Sequence, residues 1–190
     1  MPLVSCSQIL SKKEPVASAD PTLMTPQGAQ AFKGTPVDSL KKHLGEINMN
    51  AITHFVTYGR WSMHDLLFYI LRQTGPAHVD VATWSISEDA IRQIVKLHHD
   101  GMIIDVRFIL DPRVKVRNPK PLQMLAANFP YKLIACHAKV TLIASRDCKI
   151  SIISSANMTG NPRIERGCIF PFSDVYDFDK NWINDTFNER

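Results

Sequence analysis

No apolar run in the chain approaches the roughly 18 residues needed to cross a bilayer. The opening residues, MPLVSCSQIL, also lack a basic segment followed by a long apolar stretch. On both counts a secreted or membrane-spanning protein is not expected. The LVSC at residues 3–6 has the form of a lipoprotein cleavage box, but with no export segment ahead of Cys6 it is read as a chance match. Cysteine is scarce as well: Cys6, Cys136, Cys148 and Cys168 occur singly, with no C-x-x-C pair and no metal-type spacing. That excludes the common zinc sites and a disulfide scaffold, and leaves reduced, mostly buried thiols in a cytoplasmic protein as the expectation. No segment repeats, so each motif occurs once.

What is present is an ordinary globular composition, 45% hydrophobic and 21% charged over 190 residues. Such a length suits one domain with a buried core, and an appended arm. The net charge of +4 is unevenly placed. Between residues 104 and 150, nine bases (Arg107, Arg113, Lys115, Arg117, Lys120, Lys132, Lys139, Arg146 and Lys149) face three aspartates, a local charge of +6. From Asp174 onward the balance is −3. A basic block attracts phosphates at long range, although a solvated loop accounts for the charge equally well.

The first fifty residues differ from the rest. Pro2, Pro15, Pro21, Pro26 and Pro36 are five of the chain's twelve prolines and sit among Ser, Thr, Ala and Gln. Residues 1–50 are therefore expected to be an extended arm that takes shape on a partner, with one short helix over 37–44 capped by Asp38 or Ser39. From Ala51 the pattern is regular. AITHFVTYG reads as a strand, and Ser62 with Asp65 forms a capping-box variant before an amphipathic helix carrying Met63, Leu66, Leu67, Ile70 and Leu71. HVDVATW is a second strand. Ser87 caps a second helix with an inner stripe of Ile91, Ile94, Val95 and His98, and MIIDVRFIL is a third strand. Strand–helix alternation of this kind builds an α/β layer with right-handed crossovers. A basic loop over 113–120, a short helix over 122–129 and the strand YKLIAC follow. AKVTLIA and CKISIIS then form a hairpin turning at Ser145, Arg146 and Asp147, before the strand GCIFPF and a closing helix.

The chemistry concentrates in that hairpin. His137 and Lys139 lie two apart, so on a strand they share a face, and Ser155 and Asn157 do the same at the hairpin's return. An imidazole beside a fixed ammonium suits phosphoryl transfer: the lysine neutralises phosphate oxygens and favours the neutral, nucleophilic ring. Ser155, in step with Asn157, is preferred to Ser154 as a phosphate ligand. Histidines elsewhere lack visible partners: His98 and His99 end a helix and His64 begins one. Trp61 and Trp84 are either core residues or stacking surfaces for bases.

H-x-K followed by S-x-N resembles the signature of the phospholipase D superfamily, H-x-K-x4-D and then G-S-x-N. His137, Lys139, Ser155 and Asn157 match; Ser154 replaces the glycine and Ala144 the aspartate, while Asp147 lies three residues late, as if the hairpin turn were longer. NPRIERG resembles the segment that supplies a glutamate, Glu165, and the strand–helix–Gly–strand unit upstream resembles the family's as well. The likeness runs over roughly 50–188. It implies an α/β/α fold, a mixed β-sheet sandwiched between helices, over residues 51–190. It implies a metal-independent phosphodiesterase working through a phosphohistidine, with no cofactor. His137 would be nucleophile or general acid, Lys139, Ser155 and Asn157 would hold phosphate, and Glu165 would accept the His137 Nδ1 proton. One motif per chain implies a site shared by a homodimer. The basic block (Arg113, Lys115, Arg117, Lys120) and the absence of a membrane segment favour an endonuclease on DNA or RNA without stable membrane association. The alternatives are a phospholipid hydrolase, or a non-catalytic module binding nucleic acid or protein.

Overall fold

The computed structural model describes residues 36–160 and 162–189. Cys6 and the prolines ahead of Pro36 lie outside the described residues. In chain order the elements are α1 (Pro36–His43), β1 (Thr53–Val56), α2 (Met63–Thr74), β2 (Ala77–Thr83), α3 (Glu88–His99), β3 (Ile103–Leu110), α4 (Val114–Arg117), α5 (Pro119–Asn128), β4 (Tyr131–Leu133), β5 (Val140–Ser145), β6 (Lys149–Ser154), β7 (Arg166–Phe170) and α6 (Ser173–Asn188).

The strands form a seven-stranded mixed sheet in the order β1-β7-β6-β5-β2-β3-β4. β2, β3 and β4 run parallel, while β5, β6, β7 and β1 continue antiparallel from β2. Helices cover both faces. The larger core joins Leu40 of α1, Leu66, Leu67 and Ile70 of α2, Ile91 and Ile94 of α3 and Leu125 of α5 to Val79, Val81, Phe108, Ile143, Ile152 and Ile169 of the sheet. On the other face, Tyr176 and Ile183 of α6 pack on Ala82, Ile109, Val140 and Leu142. Buried polar contacts pin α6 there. Asp80 takes Arg107 Nε at 2.7 Å and Lys180 Nζ at 2.5 Å, and Asp179 takes the Ser151 hydroxyl at 2.5 Å and Trp182 Nε1 at 3.1 Å.

Local chemistry sets the boundaries. The Ser62 hydroxyl accepts the Asp65 N–H at 3.2 Å, and the Asp65 carboxylate accepts the Ser62 N–H at 2.8 Å, closing the capping box. Gly75 ends α2 at φ 78°. Among the described residues no helix is long and apolar enough to cross a membrane.

Several expectations shift. α1 begins at Pro36, so Asp38 and Ser39 lie in its first turn instead of capping it. Leu40, Leu44 and Ile47 are buried in the larger core. The inner stripe of α3 is Ala90, Ile91, Ile94 and Leu97; His98 is exposed, its ring edge-on to Phe129 at 5.5 Å. The basic loop is mostly helical. Val114, wholly buried, anchors α4, and Pro119 starts α5 where its missing N–H costs nothing. Of the three described thiols, only Cys136 is buried.

Candidate active site at one end of the sheet

The topology gathers the motif. β2, β3 and β4 end on the same edge of the sheet, and the chain leaves β4 at one side of it. To reach β5 it must cross the ends of β3 and β2, about 10–15 Å at the usual strand spacing. Residues 134–139 make that crossing, so His137 and Lys139 sit in an extended segment over the strand ends and not within a strand. Local pattern could not show this, because the edge position of β4 is a non-local fact. The ends of open parallel strands are where α/β folds place ligands.

The hairpin then returns to the same edge. Its register runs from Val140↔Ile153 to Ala144↔Lys149 without a shift, and the Ser145 N–H closes the turn on Cys148 O at 3.0 Å. The turn is tight, with Arg146 and Asp147 between the bonded pair. Asp147 is exposed in that turn, and Ala144 packs beside the α6 core, both at the far end from His137. At the near end the Ser154 N–H donates to Lys139 O at 3.1 Å, which holds the end of β6 against the lysine backbone and brings Ser155 and Asn157 to the same end of the sheet.

His137 is exposed, and its ring meets Trp84 edge-on at 6.0 Å. Lys139 is half-buried and its ammonium donates to His137 O at 2.7 Å. Burial pushes its pKa below the ordinary lysine value, opposed by the charges of Cys136 and Glu165. Asn157 is placed by a residue that sequence reasoning passed over. The buried Thr83, last in β2, accepts the Met158 N–H at 3.2 Å, donates to Ser85 O at 3.0 Å and lies 3.4 Å from Asn157 Oδ1. No sequence signal marked it, since the two positions are 74 apart. Ser155 is exposed, and its hydroxyl donates to Glu165 while accepting the Arg166 N–H at 3.1 Å. The Glu165 carboxylate therefore sits at Ser155. Ser154 turns inward, toward Met63 Sδ at 3.5 Å and Ala156 O at 3.2 Å.

The loop carrying Glu165 has its own support. Thr57 N–H donates to Glu165 O at 2.8 Å, and Gly59, at φ 69°, lies where a Cβ would come within 2.5 Å of Pro162 Cα. Only glycine fits that close approach. The basic residues divide. Arg113 and Arg117 gather over Trp84, Lys120 pairs with Glu88 at 2.8 Å, and Lys115 is exposed. Trp61 is a core residue, packed 5.1 Å from Phe55.

No protein-family model matches the chain, and no curated protein matches it. Solved structures do. NucT from Helicobacter pylori is 19% identical with a TM-score of 0.55, over 72% of this chain and 95% of its own. Polyphosphate kinase from Porphyromonas gingivalis is 12% identical with a TM-score of 0.60, over 80% of this chain and 29% of its own. Phosphatidylserine synthase from Haemophilus influenzae Rd KW20 is 12% identical with a TM-score of 0.53, over 82% of this chain and 42% of its own. These are phospholipase D-like folds, and at such identities the likeness is one of fold.

Proposed function

We propose that the chain is a metal-independent phosphodiesterase, an endonuclease on DNA or RNA, whose site is completed by a second copy. The observation that carries this is the gathering of His137, Lys139, Ser155 and Asn157 at one end of the sheet, beside the basic turn. In the first step the His137 imidazole attacks phosphorus, and the P–O bond to the leaving oxygen breaks as the P–N bond forms. Lys139 and Asn157 hold the non-bridging oxygens, where charge accumulates. The partner's His137 gives its proton to the leaving oxygen, then takes one from the water that attacks the phosphohistidine, so the second step restores both rings. Glu165 and Ser155 form a hydrogen-bonded wall beside Lys139, and the Glu165 charge supports the ammonium.

The expected result is that purified protein in EDTA cleaves a small aryl phosphodiester and an oligonucleotide, and that His137→Ala abolishes both. Cleavage surviving His137→Ala refutes the mechanism. A second reading, a non-catalytic nucleic-acid-binding module, is favoured by one feature: neither ring nitrogen of His137 hydrogen-bonds to another described residue. Oligonucleotide binding without cleavage would select it. Cleavage of phosphatidylcholine in preference to an oligonucleotide would select phospholipid hydrolysis.

A further inference from the structure

Trp84 follows directly on β2, half-buried at the sheet edge that carries the site. One side of its indole meets the His137 ring at 6.0 Å with an interplanar angle of 63°. The same ring lies under two guanidiniums, with Arg113 Cζ 5.4 Å and Arg117 Cζ 5.0 Å from its centroid. Neither arginine is left to wander. Arg113 is gripped by the buried Asp111, Nε to Oδ1 at 2.8 Å and Nη2 to Oδ2 at 3.2 Å. Those hydrogen bonds pull the Asp111 carboxyl down to about 2, so the pair stays ionised. Arg117 closes α4, whose junction with α5 is tied back to the strand end by Ser85 Oγ donating to Asn118 Oδ1 at 3.0 Å.

A guanidinium over an indole uses its face and leaves its in-plane N–H donors for an anion. Arg113 spends Nε and Nη2 on Asp111 and has Nη1 left to offer, so Arg117 carries most of the site's uncompensated charge. Arg117 has no carboxylate against it among the described residues, unlike Lys120, whose charge is matched by Glu88. Holding both arginines on one ring also lowers the rotamer freedom lost when they grip a ligand. The charge of the basic turn is thereby delivered next to His137.

We propose that Arg113 and Arg117, positioned by Trp84, form a second anion subsite that takes the phosphate adjacent to the one held by His137, Lys139 and Asn157. The subsite rests on the phosphodiesterase proposal and narrows its substrate to a strand of consecutive phosphodiesters. A phospholipid with a single phosphodiester would leave it empty. Arg113 and Arg117 contact the ligand, and Trp84 acts through them.

The test uses the full-length protein carrying His137→Ala, so that nothing is cleaved. Binding of a short labelled single strand is followed by fluorescence anisotropy across a salt series, beside a dinucleotide with one phosphodiester. Adding Arg117→Ala is expected to raise the strand's Kd about 5- to 10-fold and to flatten log K against log salt by about 0.7–1. The loss is expected to be larger for the strand than for the dinucleotide. Trp84→Leu removes no formal charge, yet by freeing Arg117, which no carboxylate among the described residues holds, it should raise the strand's Kd at least about 3-fold. Lys96→Ala, at an exposed position on α3, should change neither quantity. The subsite is refuted if Arg117→Ala leaves the slope unchanged, if Lys96→Ala matches it, or if a folded Trp84→Leu binds the strand normally. Cleavage of the aryl phosphodiester by the wild type tests the catalytic proposal apart from this. Its failure with the expected salt slopes would remove the mechanism and leave the subsite.

Discussion

Replacing Thr83 with valine tests how the fold holds Asn157. The substitution keeps the branched shape and exchanges a hydroxyl for a methyl, so packing is nearly conserved. Thr83 is only 1% exposed, and its hydroxyl is the acceptor for the buried Met158 N–H at 3.2 Å. Its second partner, Ser85 O at 3.0 Å, belongs to a half-buried residue that water reaches more easily. One buried donor is then stranded, which costs about 1–3 kcal/mol. For a domain of this size that is a fall in Tm of roughly 2–12 °C, at about 2–4 °C per kcal/mol. Because Met158 follows Asn157, the loop should loosen where phosphate is to be held, and strand cleavage should fall about 10-fold or more, the scale of a misplaced catalytic group. Thr83→Ser keeps the hydroxyl and should recover most of the activity while losing some packing. Urea unfolding with a common m-value, alongside steady-state cleavage, measures both effects. A Thr83→Val protein within about 0.5 kcal/mol of wild type, the range of a neutral surface change, and fully active would refute the reasoning.

Gly167→Ala should cost about 1–3 kcal/mol as an overpacking change. A Cβ there would overlap the Phe55 ring and come within 2.7 Å of Ser154 Cβ and 2.8 Å of Ile153 O. An unchanged urea midpoint would contradict this. His64 is buried with no partner for Nδ1 among the described residues, and burial lowers its pKa from 6.5 against the opposing charges of Asp65 and Asp89. The unfolded chain therefore takes up the proton more readily, so this contribution is complete above about pH 6.5 and declines as the pH falls below it. His64→Leu should flatten the fall in Tm between about pH 7 and pH 5; an unchanged profile would show that other groups carry it.

Much of this fold was legible because its signals are local. The Ser62 capping box, Gly75 and Gly101 as helix stops, and the tight turn at Ser145 are fixed by residues a few positions apart, and the structure keeps each of them. What escaped was set across the sheet. His137 and Lys139 alternate like strand residues, yet they bridge strand ends because β4 pairs at the edge and β5 beside β2. The basic turn read as a loop because its charges hid the one buried anchor, Val114. Thr83 and Trp84 looked like the tail of an ordinary strand; their roles arise from loops that fold onto that end from more than fifty residues away. The spacing of the motif residues is visible in the sequence, whereas the contacts that hold their positions, such as Thr83 on Met158, are not.

The central claim is that His137 forms the covalent intermediate. Tryptic cleavage isolates it on the peptide 133–139, where it is the one histidine. Substrate turnover should be quenched in alkali, in which phosphohistidine survives, and the digest read by mass spectrometry. A phosphoryl-linked adduct is expected on that peptide, growing in with turnover and missing from His137→Asn. Steady turnover with no adduct on 133–139, or with the adduct on another residue, would contradict it.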